Sequence, residues 1–246
     1  MAKKIEKKTE KMAMKKLRDI PAETFLPTGI AELDAMIGGG WPRKRISQIW
    51  GVPGVGKSYI LGRTLAELCK NGGKALYIDS EYALNQTRLA EMGVDLDAID
   101  YWPTSKLEEV ADFVINNVKD YDLIVIDTLV KLTPTVFLEN DVSQNTIGLS
   151  ARLIGKFEAN LRPALFESHC AIVGINQARA NLGYGQAESK AAGGFAWSHT
   201  VDLSLKVART SNKTNSHTSK VKVDKSRVSR PYQEVDIEIS YKGVDK

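Results

Sequence analysis

The feature that most limits how this chain can fold is the segment Gly51–Ser58, GVPGVGKS, which has the GxxxxGK[ST] spacing of a phosphate-binding loop. The apolar run Ile46–Trp50 precedes it, and Tyr59–Lys70, with apolar residues at helical spacing, follows it. A strand, a glycine-rich loop and a helix in this order are the context in which such loops bind phosphate. We therefore expect an α/β sheet with this loop at the carboxyl end of a strand.

The residue types of the loop predict how it would hold a nucleotide. Gly54 and Gly56 allow backbone N–H groups to turn toward phosphate oxygens, and the following helix adds the positive end of its dipole. Lys57 is expected to reach the β- and γ-phosphates and Ser58 to ligate Mg²⁺. The expected ligands are ATP and Mg²⁺, and the expected cofactor-binding residues are Gly51, Val52, Pro53, Gly54, Val55, Gly56, Lys57, Ser58 and Tyr59.

Beyond this loop the chain alternates short apolar runs with helical patterns, which is typical of βαβ units in a mainly parallel sheet. Strands are expected at Ile46–Trp50, Ala75–Ile78, Leu123–Ile126 and Ala171–Ile175. Helices are expected at Tyr59–Lys70, Gln86–Met92, Leu107–Val118 and Thr146–Arg162. Alternating apolar residues from Val201 to Val207 and from Val235 to Tyr241 predict antiparallel strands at one sheet edge. Long irregular stretches are expected at Thr133–Asn145, Ala178–Gly194 and Arg209–Ser219.

Length and composition favour one core domain rather than two. The 246 residues suit a single α/β domain, and the apolar runs are far shorter than the roughly 20 residues that span a bilayer. No apolar segment follows the N-terminal lysines, so no secretory signal is predicted and a cytoplasmic protein without a membrane partner is expected. Cys69, Cys170 and the three histidines lack ligand spacing, which predicts buried, reduced thiols and no zinc.

The positive charge of the chain is concentrated at its beginning. Residues 1–18 hold eight Lys or Arg against Glu6 and Glu10, a charge of +6, whereas the whole chain carries +4. We therefore divide the chain into a basic tail or helix at 1–19 and a nearly neutral core domain at 20–246. The tail could contact phosphates, lie on an anionic membrane, pack against a partner subunit, or be a solvated, frayed terminus.

Carboxylates follow two of the expected strands. Asp127 ends the run LIVID and has the placement of a residue that holds Mg²⁺ through water, although a helix cap is an alternative. Glu81 ends YIDSE and could polarise a water that attacks the γ-phosphate, although a surface ion pair is an alternative. Asp79, two residues earlier, is the weaker candidate.

Several separate segments resemble the core of RecA recombinases, in order, over about residues 24–243. They are YIDSEYAL from Tyr77, MGVDLD from Met92, VIDTLVKLTP from Val125, GLSAR from Gly148, GINQ from Gly174 and AGG from Ala192. Blocks in register are far more specific than the phosphate loop, which occurs in many unrelated NTPases. The resemblance implies a RecA-like P-loop NTPase core: a mainly parallel central sheet flanked by helices, with antiparallel strands at its C-terminal edge.

The resemblance also implies roles for residues of the nucleotide site. Glu81 matches the catalytic glutamate, Asp127 the aspartate that supports Mg²⁺, and Gln177 the glutamine that senses the γ-phosphate and orders the second DNA-binding loop. Lys225 and Arg227 match basic residues that reach a neighbouring subunit's ATP, although solvated surface cations are the alternative. Arg88, a further expected nucleotide contact, and Asn85 replace the residues that grip adenine, so the resemblance leaves base selectivity open.

DNA binding is implied by the same resemblance. Residues 137–146 match the first DNA-binding loop and 178–194 the second. Apolar side chains that separate stacked bases and residues that touch the DNA backbone would make binding nearly independent of sequence. The expected DNA-binding residues are Ile147, Arg152, Arg179, Leu182, Gly193 and Gly194.

The resemblance has limits. Ser198 and His199 replace a basic and an aromatic residue after the paired glycines, and no counterpart of the C-terminal domain that gathers duplex DNA is expected. A compact core of this kind resembles the RecA homologues of phages.

Three functions follow as alternatives. The leading one is a DNA-dependent ATPase recombinase that forms ATP-controlled head-to-tail filaments on single-stranded DNA and pairs it with homologous duplex. The others are a RecA-like accessory that regulates another recombinase and a ring-forming helicase-type motor.

Overall fold

The computed structural model describes residues 16–139, 148–179, 190–192, 197 and 199–240. Strands within these ranges are β1 (Phe25–Leu26), β2 (Trp41–Pro42), β3 (Ile46–Gly51), β4 (Ala75–Asp79), β5 (Ile99–Pro103), β6 (Leu123–Asp127), β7 (Ala171–Arg179), β8 (Lys190–Ala191), β9 (Leu203–Asn212), β10 (Ser216–Ser226) and β11 (Glu234–Ser240). Helices are α1 (Ala31–Ile37), α2 (Lys57–Lys70), α3 (Gln86–Glu91), α4 (Leu107–Asn117), α5 (Thr135–Glu139) and α6 (Leu149–Phe166).

One large sheet organises the described part of the chain. Its strands follow the order β11-β10-β9-β3-β7-β6-β4-β5, and β8 pairs with the end of β7. Strands β9, β3, β7, β6, β4 and β5 run parallel, whereas β10 and β11 continue the sheet antiparallel. Strand β3, which leads into the glycine-rich loop, therefore lies inside the sheet between β7 and β9.

The central strands are buried on both faces of the sheet. In β6, Leu123 and Val125 join the apolar cluster formed with α1 and α2, whereas Ile124 and Ile126 join the cluster formed with α4 and α6. Successive side chains of a strand point to opposite faces, so helices on both faces require an uninterrupted apolar run. This arrangement explains why LIVI is apolar at every position.

The expected fold class is confirmed: a mainly parallel sheet flanked by helices, with antiparallel strands at one edge. The four strands expected in the parallel region all form and end one to four residues later than expected. Strand β5 was not expected, because its sequence IDYWP lies at the sheet edge and is half exposed, without a clear alternation. Helix α6 runs four residues past its expected end and includes Pro163.

Two expectations near the C-terminal edge were wrong. Arg209–Ser219 is not a long irregular stretch, because β9 extends to Asn212 and β10 begins at Ser216. The first alternating run is not wholly antiparallel, since β9 pairs parallel with β3 and antiparallel only with β10. Exposed polar residues on this hairpin interrupt the apolar alternation, so the sequence pattern did not predict the two strands there.

Other expectations concern single residues or segments. Cys170 is buried as expected, but Cys69 is only partly buried. Residues 1–15 of the tail, the start of the helix expected from Thr146 and the alternating residue Tyr241 lie outside the described residues. In the described part of the chain, no helix combines the length and apolarity needed to cross a membrane.

Helix α6 provides a test of the packing. Leu161 is fully buried in the cluster beneath α4 and α6. Leu161→Ala should lower the free energy of unfolding by about 2–5 kcal/mol, because it removes apolar contacts and leaves a cavity. Lys156→Ala, an exposed position of the same helix, should change it by less than about 0.5 kcal/mol. Urea unfolding followed by far-UV circular dichroism measures both, and equal effects would contradict this packing.

Candidate nucleotide-binding site

Four neighbouring parallel strands bring the candidate site residues to one edge of the sheet. In the order β3-β7-β6-β4, they end at Gly51, near Gln177, at Asp127 and just before Glu81. Gly51 lies opposite Gln177 in the β3–β7 register, and Asp79 lies opposite Asp127 in the β4–β6 register. Ligands of open α/β sheets bind at this carboxyl edge, so the fold assembles these side chains where a nucleotide site is expected.

The glycines of the loop are required by close packing against the C-terminal strands. A Cβ atom at Gly51 would lie 2.3 Å from the carbonyl oxygen of Val207 in β9. Gly56 has φ 99° and directly precedes α2, and a Cβ atom there would lie 2.8 Å from Ile239 of β11. Any larger residue at either position would collide or be strained. The loop therefore lies directly against β9 and β11 and leaves Val52, Pro53 and Gly54 exposed.

Lys57 supplies a buried cation inside the loop. Its Nζ donates hydrogen bonds to the carbonyl oxygens of Gly51 at 3.0 Å and Val52 at 2.9 Å. Burial lowers the pKa of the ammonium group, and the carboxylates of Asp127 and Glu81 act in the opposite direction. A buried ammonium group needs oxygen partners. The side chain is thus held at the loop, where phosphate oxygens could replace the carbonyls.

Asp127 is a partly buried carboxylate with a raised pKa. Desolvation raises its pKa to about 6, and the nearby Glu81 and Asp79 add to the rise, whereas the hydrogen bond from Tyr77 and the charge of Lys57 oppose it. The Tyr77 hydroxyl donates to Asp127 Oδ2 at 2.7 Å, and burial raises the pKa of Tyr77 well above its usual value. Tyr77 therefore orients Asp127, a contact that sequence analysis missed.

Asp79 binds the backbone of the turn after β4, which differs from the role in polarising water considered for it. Its carboxylate accepts hydrogen bonds from the backbone N–H groups of Glu81, Ala83 and Leu84 at 2.9–3.0 Å and from the Tyr101 hydroxyl at 3.1 Å. The side chain is 2% exposed. These donors occupy the carboxylate with the turn that follows β4, so Asp79 fixes the backbone that carries Glu81.

Glu81 and Gln177 are in direct contact. Gln177 Nε2 donates to Glu81 Oε1 at 2.7 Å, and the Thr128 hydroxyl donates to the same oxygen at 3.3 Å. The backbone carbonyl of Gln177 accepts a hydrogen bond from Ala192 N–H at 2.7 Å. One residue thus joins the carboxylate of Glu81 to the chain segment that closes the loop expected to bind DNA.

Asn176 strengthens the same connection. Its buried side chain donates to the carbonyl oxygen of Ala192 at 2.7 Å and to Gln48 Oε1 at 3.3 Å, and Gln48 donates to Ser204 at 2.9 Å. Buried amides of this kind are costly unless they are paired. The network ties β3, β7 and β9 to Ala192, and no local sequence pattern indicated it.

The remaining nucleotide residues border the loop. Ser58 is exposed at the start of α2, and Tyr59 is partly buried behind it. Arg88 Nη2 lies 3.4 Å from the Ser240 carbonyl oxygen, which joins α3 to the end of β11. Arg209 Nη2 donates to the Gly54 carbonyl oxygen. No local sequence pattern points to Arg209, because only the pairing of β9 with β3 brings it to the loop.

Lys225 and Arg227 lie far from this edge of their own sheet. Arg227 Nη1 donates to Asp202 Oδ1 at 3.0 Å, and Asp202 accepts a hydrogen bond from the backbone N–H of Ile46, the first residue of β3. The glycine-rich loop begins at the other end of β3, about 16 Å away at 3.3 Å per residue. Lys225 Nζ lies 3.4 Å from the carbonyl oxygen of His199.

The candidate DNA-binding residues are only partly described. Arg152 is exposed in the first turns of α6, and Arg179 is exposed at the end of β7, where it lies opposite Lys190 of β8. Ile147, Leu182, Gly193 and Gly194 lie outside the described residues, as does Ser198.

The residues present fit a magnesium nucleotide. The loop combines a buried ammonium group with glycines at positive φ, and Ser58 and Asp127 offer the oxygen ligands that Mg²⁺ prefers. No group of three or more His, Cys, Asp or Glu suited to holding a metal by itself occurs within the described residues. Mg²⁺ is normally bound by one or two protein oxygens together with phosphates, which matches this donor set.

Comparison with known proteins agrees with the geometry. A family model described as the RecA N-terminal domain matches residues 1–245. The chain belongs to the RecA family. It is 33% identical to Protein RecA of Aquifex pyrophilus, with 94% of this chain and 68% of the relative covered, and 33% identical to Protein RecA of Aquifex aeolicus, with 94% and 69% covered. It is also 30% identical to Protein RecA of Oceanobacillus iheyensis, with 98% and 73% covered. This RecA-family chain thus spans about two thirds of the length of its curated relatives.

The raised pKa of Asp127 predicts a pH-dependent effect on stability. A carboxyl group whose pKa is higher in the folded protein contributes stability that is fully present below its unfolded pKa of 3.8 and is lost as pH rises through about 6. Asp127→Asn keeps an acceptor for Tyr77 but removes the buried charge. Without nucleotide and Mg²⁺, it should therefore raise the free energy of unfolding at pH 8 by up to about 3 kcal/mol, and the gain should vanish below about pH 4.

Asp79→Asn is the matched comparison, because it removes the same charge at the opposite register position. It should instead lower stability at pH 8 by about 1–3 kcal/mol, since backbone donors would lose an acceptor. Urea titrations at several pH values give both quantities. Two changes of the same sign would contradict the distinction between these aspartates.

Proposed function

We propose that this protein is a DNA-dependent ATPase recombinase, which assembles head-to-tail on single-stranded DNA and pairs it with homologous duplex. The observation that carries the proposal is the contact between Gln177 and Glu81, together with the hydrogen bond from Ala192 to Gln177. A nucleotide-responsive side chain is thereby linked to a segment expected to contact DNA. Such a link lets ATP and DNA each favour the same arrangement of the chain.

Lys57, Ser58 and Asp127 are proposed to hold the nucleotide and its metal. Lys57 would exchange its bonds with the loop carbonyls for bonds with phosphate oxygens. Bound Mg²⁺ neutralises charge that develops on the transferring phosphoryl group. Asp127 would be ionised beside that cation, because a nearby positive charge lowers the pKa that burial has raised.

Glu81 is proposed to be the catalytic base that orients the attacking water. Its position is fixed by the Asp79 turn, and one carboxylate oxygen already receives donors from Gln177 and Thr128. Gln177 is proposed to be the switch, since its amide binds Glu81 while its backbone carbonyl binds Ala192, so movement of the whole residue would free the carboxylate and also shift Ala192. Hydrolysis and the conformation of the second loop would then change together.

Lys225 and Arg227 are proposed to complete the site of a neighbouring subunit. They lie near the amino end of β3, whereas the glycine-rich loop lies at its carboxyl end. Within one subunit, Lys225 and Arg227 at the amino edge of the sheet cannot reach the glycine-rich loop at the carboxyl edge. Stacking the amino edge of one subunit's sheet on the carboxyl edge of the next brings these residues to that loop. Such a contact is heterologous and generates rings or helical filaments.

DNA contacts are proposed for Arg152, Arg179 and the four residues outside the described ranges, Ile147, Leu182, Gly193 and Gly194. Arg179 supports this assignment because it is exposed at the point where β7 leaves the sheet.

We also propose that residues 20–246 form the ATPase core and residues 1–19 a basic appendage. Within that appendage, residues 16–19 are exposed, and Leu17–Asp19 form a single 3₁₀ turn.

Two substitutions test the nucleotide roles. Glu81→Gln preserves an acceptor for Gln177 but removes the charge, so it should bind ATP and lose about 100-fold or more in DNA-stimulated turnover. Lys57→Ala should instead lose productive ATP binding, because the cation at the phosphates is absent. Glu91→Gln, an exposed position that carries the same charge change, is the control. Fluorescent-nucleotide binding and phosphate release measure the two steps, and parental turnover by Glu81→Gln would refute the catalytic assignment.

A mixing experiment tests the shared site. Lys225→Ala/Arg227→Ala and Glu81→Gln should each be inactive, but about a quarter of randomly mixed head-to-tail interfaces would join an intact Glu81 to an intact Lys225 and Arg227. DNA-stimulated ATP hydrolysis should therefore reappear in the mixture. If crosslinking shows co-assembly and the mixture stays inactive, the two cations do not act across the interface.

A further inference from the structure

A buried carboxylate lies among cations at the amino end of β3. Asp202 is fully buried, and its oxygens accept hydrogen bonds from Arg162 Nη1 at 2.5 Å, Arg227 Nη1 at 3.0 Å and the backbone N–H of Ile46 at 3.2 Å. Arg45 Nη1 lies 3.9 Å from it. A carboxylate removed from water is stable only when it is paired, and these donors provide the pairing.

The arginines around Asp202 differ in their other hydrogen-bond and ion-pair partners. Arg162 also donates to Glu158 and to the Thr200 carbonyl oxygen, and Arg45 also pairs with Glu23. The side chain of Arg227 is 53% exposed, and its contact with Asp202 engages one of its guanidinium nitrogens. A guanidinium group has five N–H donors, so Arg227 can bind Asp202 and still present donors to solvent.

The backbone at Arg227 is also fixed. Its N–H donates to the Asp202 carbonyl oxygen at 3.0 Å. The Ser226 hydroxyl accepts from the N–H groups of Val228 at 3.1 Å and Ser229 at 2.8 Å, which closes the turn after β10. Main chain and side chain of Arg227 are therefore both anchored, an arrangement that an ordinary solvated surface arginine does not require.

We infer that Asp202 is a positioning residue for Arg227: by binding one guanidinium nitrogen, it holds the other donors of Arg227 outward at the amino edge, ready for the phosphates bound by the next subunit. This inference rests on the proposed function, because it assigns a support to a cation proposed to act in trans. A pre-oriented cation needs no reorganisation when the interface forms, and misplacement by about 1 Å can cost on the order of 100-fold in rate.

Asp202→Asn is the central variant, since it keeps the shape and one acceptor but removes the charge that pairs with Arg227. DNA-stimulated kcat should fall on the order of tenfold or more, whereas KM for ATP should stay within about twofold, because the variant's own phosphate loop is unchanged. Asp224→Asn is the matched control. Asp224 is exposed, lies three residues before Arg227 and loses the same charge, and its kcat should equal that of the parent.

Mixing identifies the subunit in which the defect acts. When Asp202→Asn is mixed equally with Glu81→Gln, about a quarter of the interfaces join an intact Glu81 to an Arg227 still held by Asp202. Total turnover should then rise at least about twofold above that of Asp202→Asn alone, although about half of the sites carry Glu81→Gln. If Asp202 instead supports its own subunit's ATP site, the mixture should fall to about half, and the inference is overturned.

An Arg227→Ala variant distinguishes a failure of the inference from a failure of the proposed function. If Arg227→Ala hydrolyses ATP like the parent, the shared site itself fails. If Arg227→Ala is inactive and is complemented by Glu81→Gln, but Asp202→Asn has parental kcat, only the positioning role fails.

Should Asp202→Asn not fold, Asp202→Asn/Arg162→Gln removes one anion and one cation together, and it is compared with Arg162→Gln alone. Equal kcat for Asp202→Asn/Arg162→Gln and Arg162→Gln would likewise overturn the inference. So would a lack of recovery when Asp202→Asn/Arg162→Gln is mixed with Glu81→Gln.

Discussion

The rest of the structure depends on the burial of the parallel strands on both faces. Strands β3, β6 and β7 are covered by helices above and below, so polar side chains inside them, such as Gln48 and Asn176, need buried hydrogen-bond partners, and charged groups lie where these strands end. Asp127 and Gln177 lie at or near such ends, and both remain partly exposed. The packing that stabilises the sheet therefore also gathers reactive groups at its carboxyl edge.

A second consequence is that neighbouring carboxylates have different environments. Asp79 accepts backbone donors and shapes the turn that carries Glu81, whereas Asp127 has Tyr77 as a donor and a pKa raised by burial. Residues of the same type at opposite register positions thus serve structure in one case and are suited to bind a cation in the other. The difference comes from the donors that each strand end offers, not from the residue itself.

The two ends of β3 carry complementary features. The carboxyl end holds a phosphate loop rich in N–H groups and a buried lysine, and the amino end holds Asp202 with its arginines. A single subunit keeps these features apart by the length of the strand, so any cooperation between them requires a second copy. This geometry is the physical basis of the head-to-tail assembly that we propose.

The sequence by itself determined the phosphate loop, the apolar parallel strands and the acids at their ends, because each depends on residues close together in the chain. It missed β5 at the sheet edge and misjudged the hairpin of β9 and β10, since segments with many exposed polar residues lack a clear apolar period. Only the tertiary structure decided that Gln177 meets Glu81, that Arg209 reaches Gly54 and that Asp202 holds Arg227. Those contacts join residues 25 to 155 positions apart, and they follow from strand order, which no local pattern encodes.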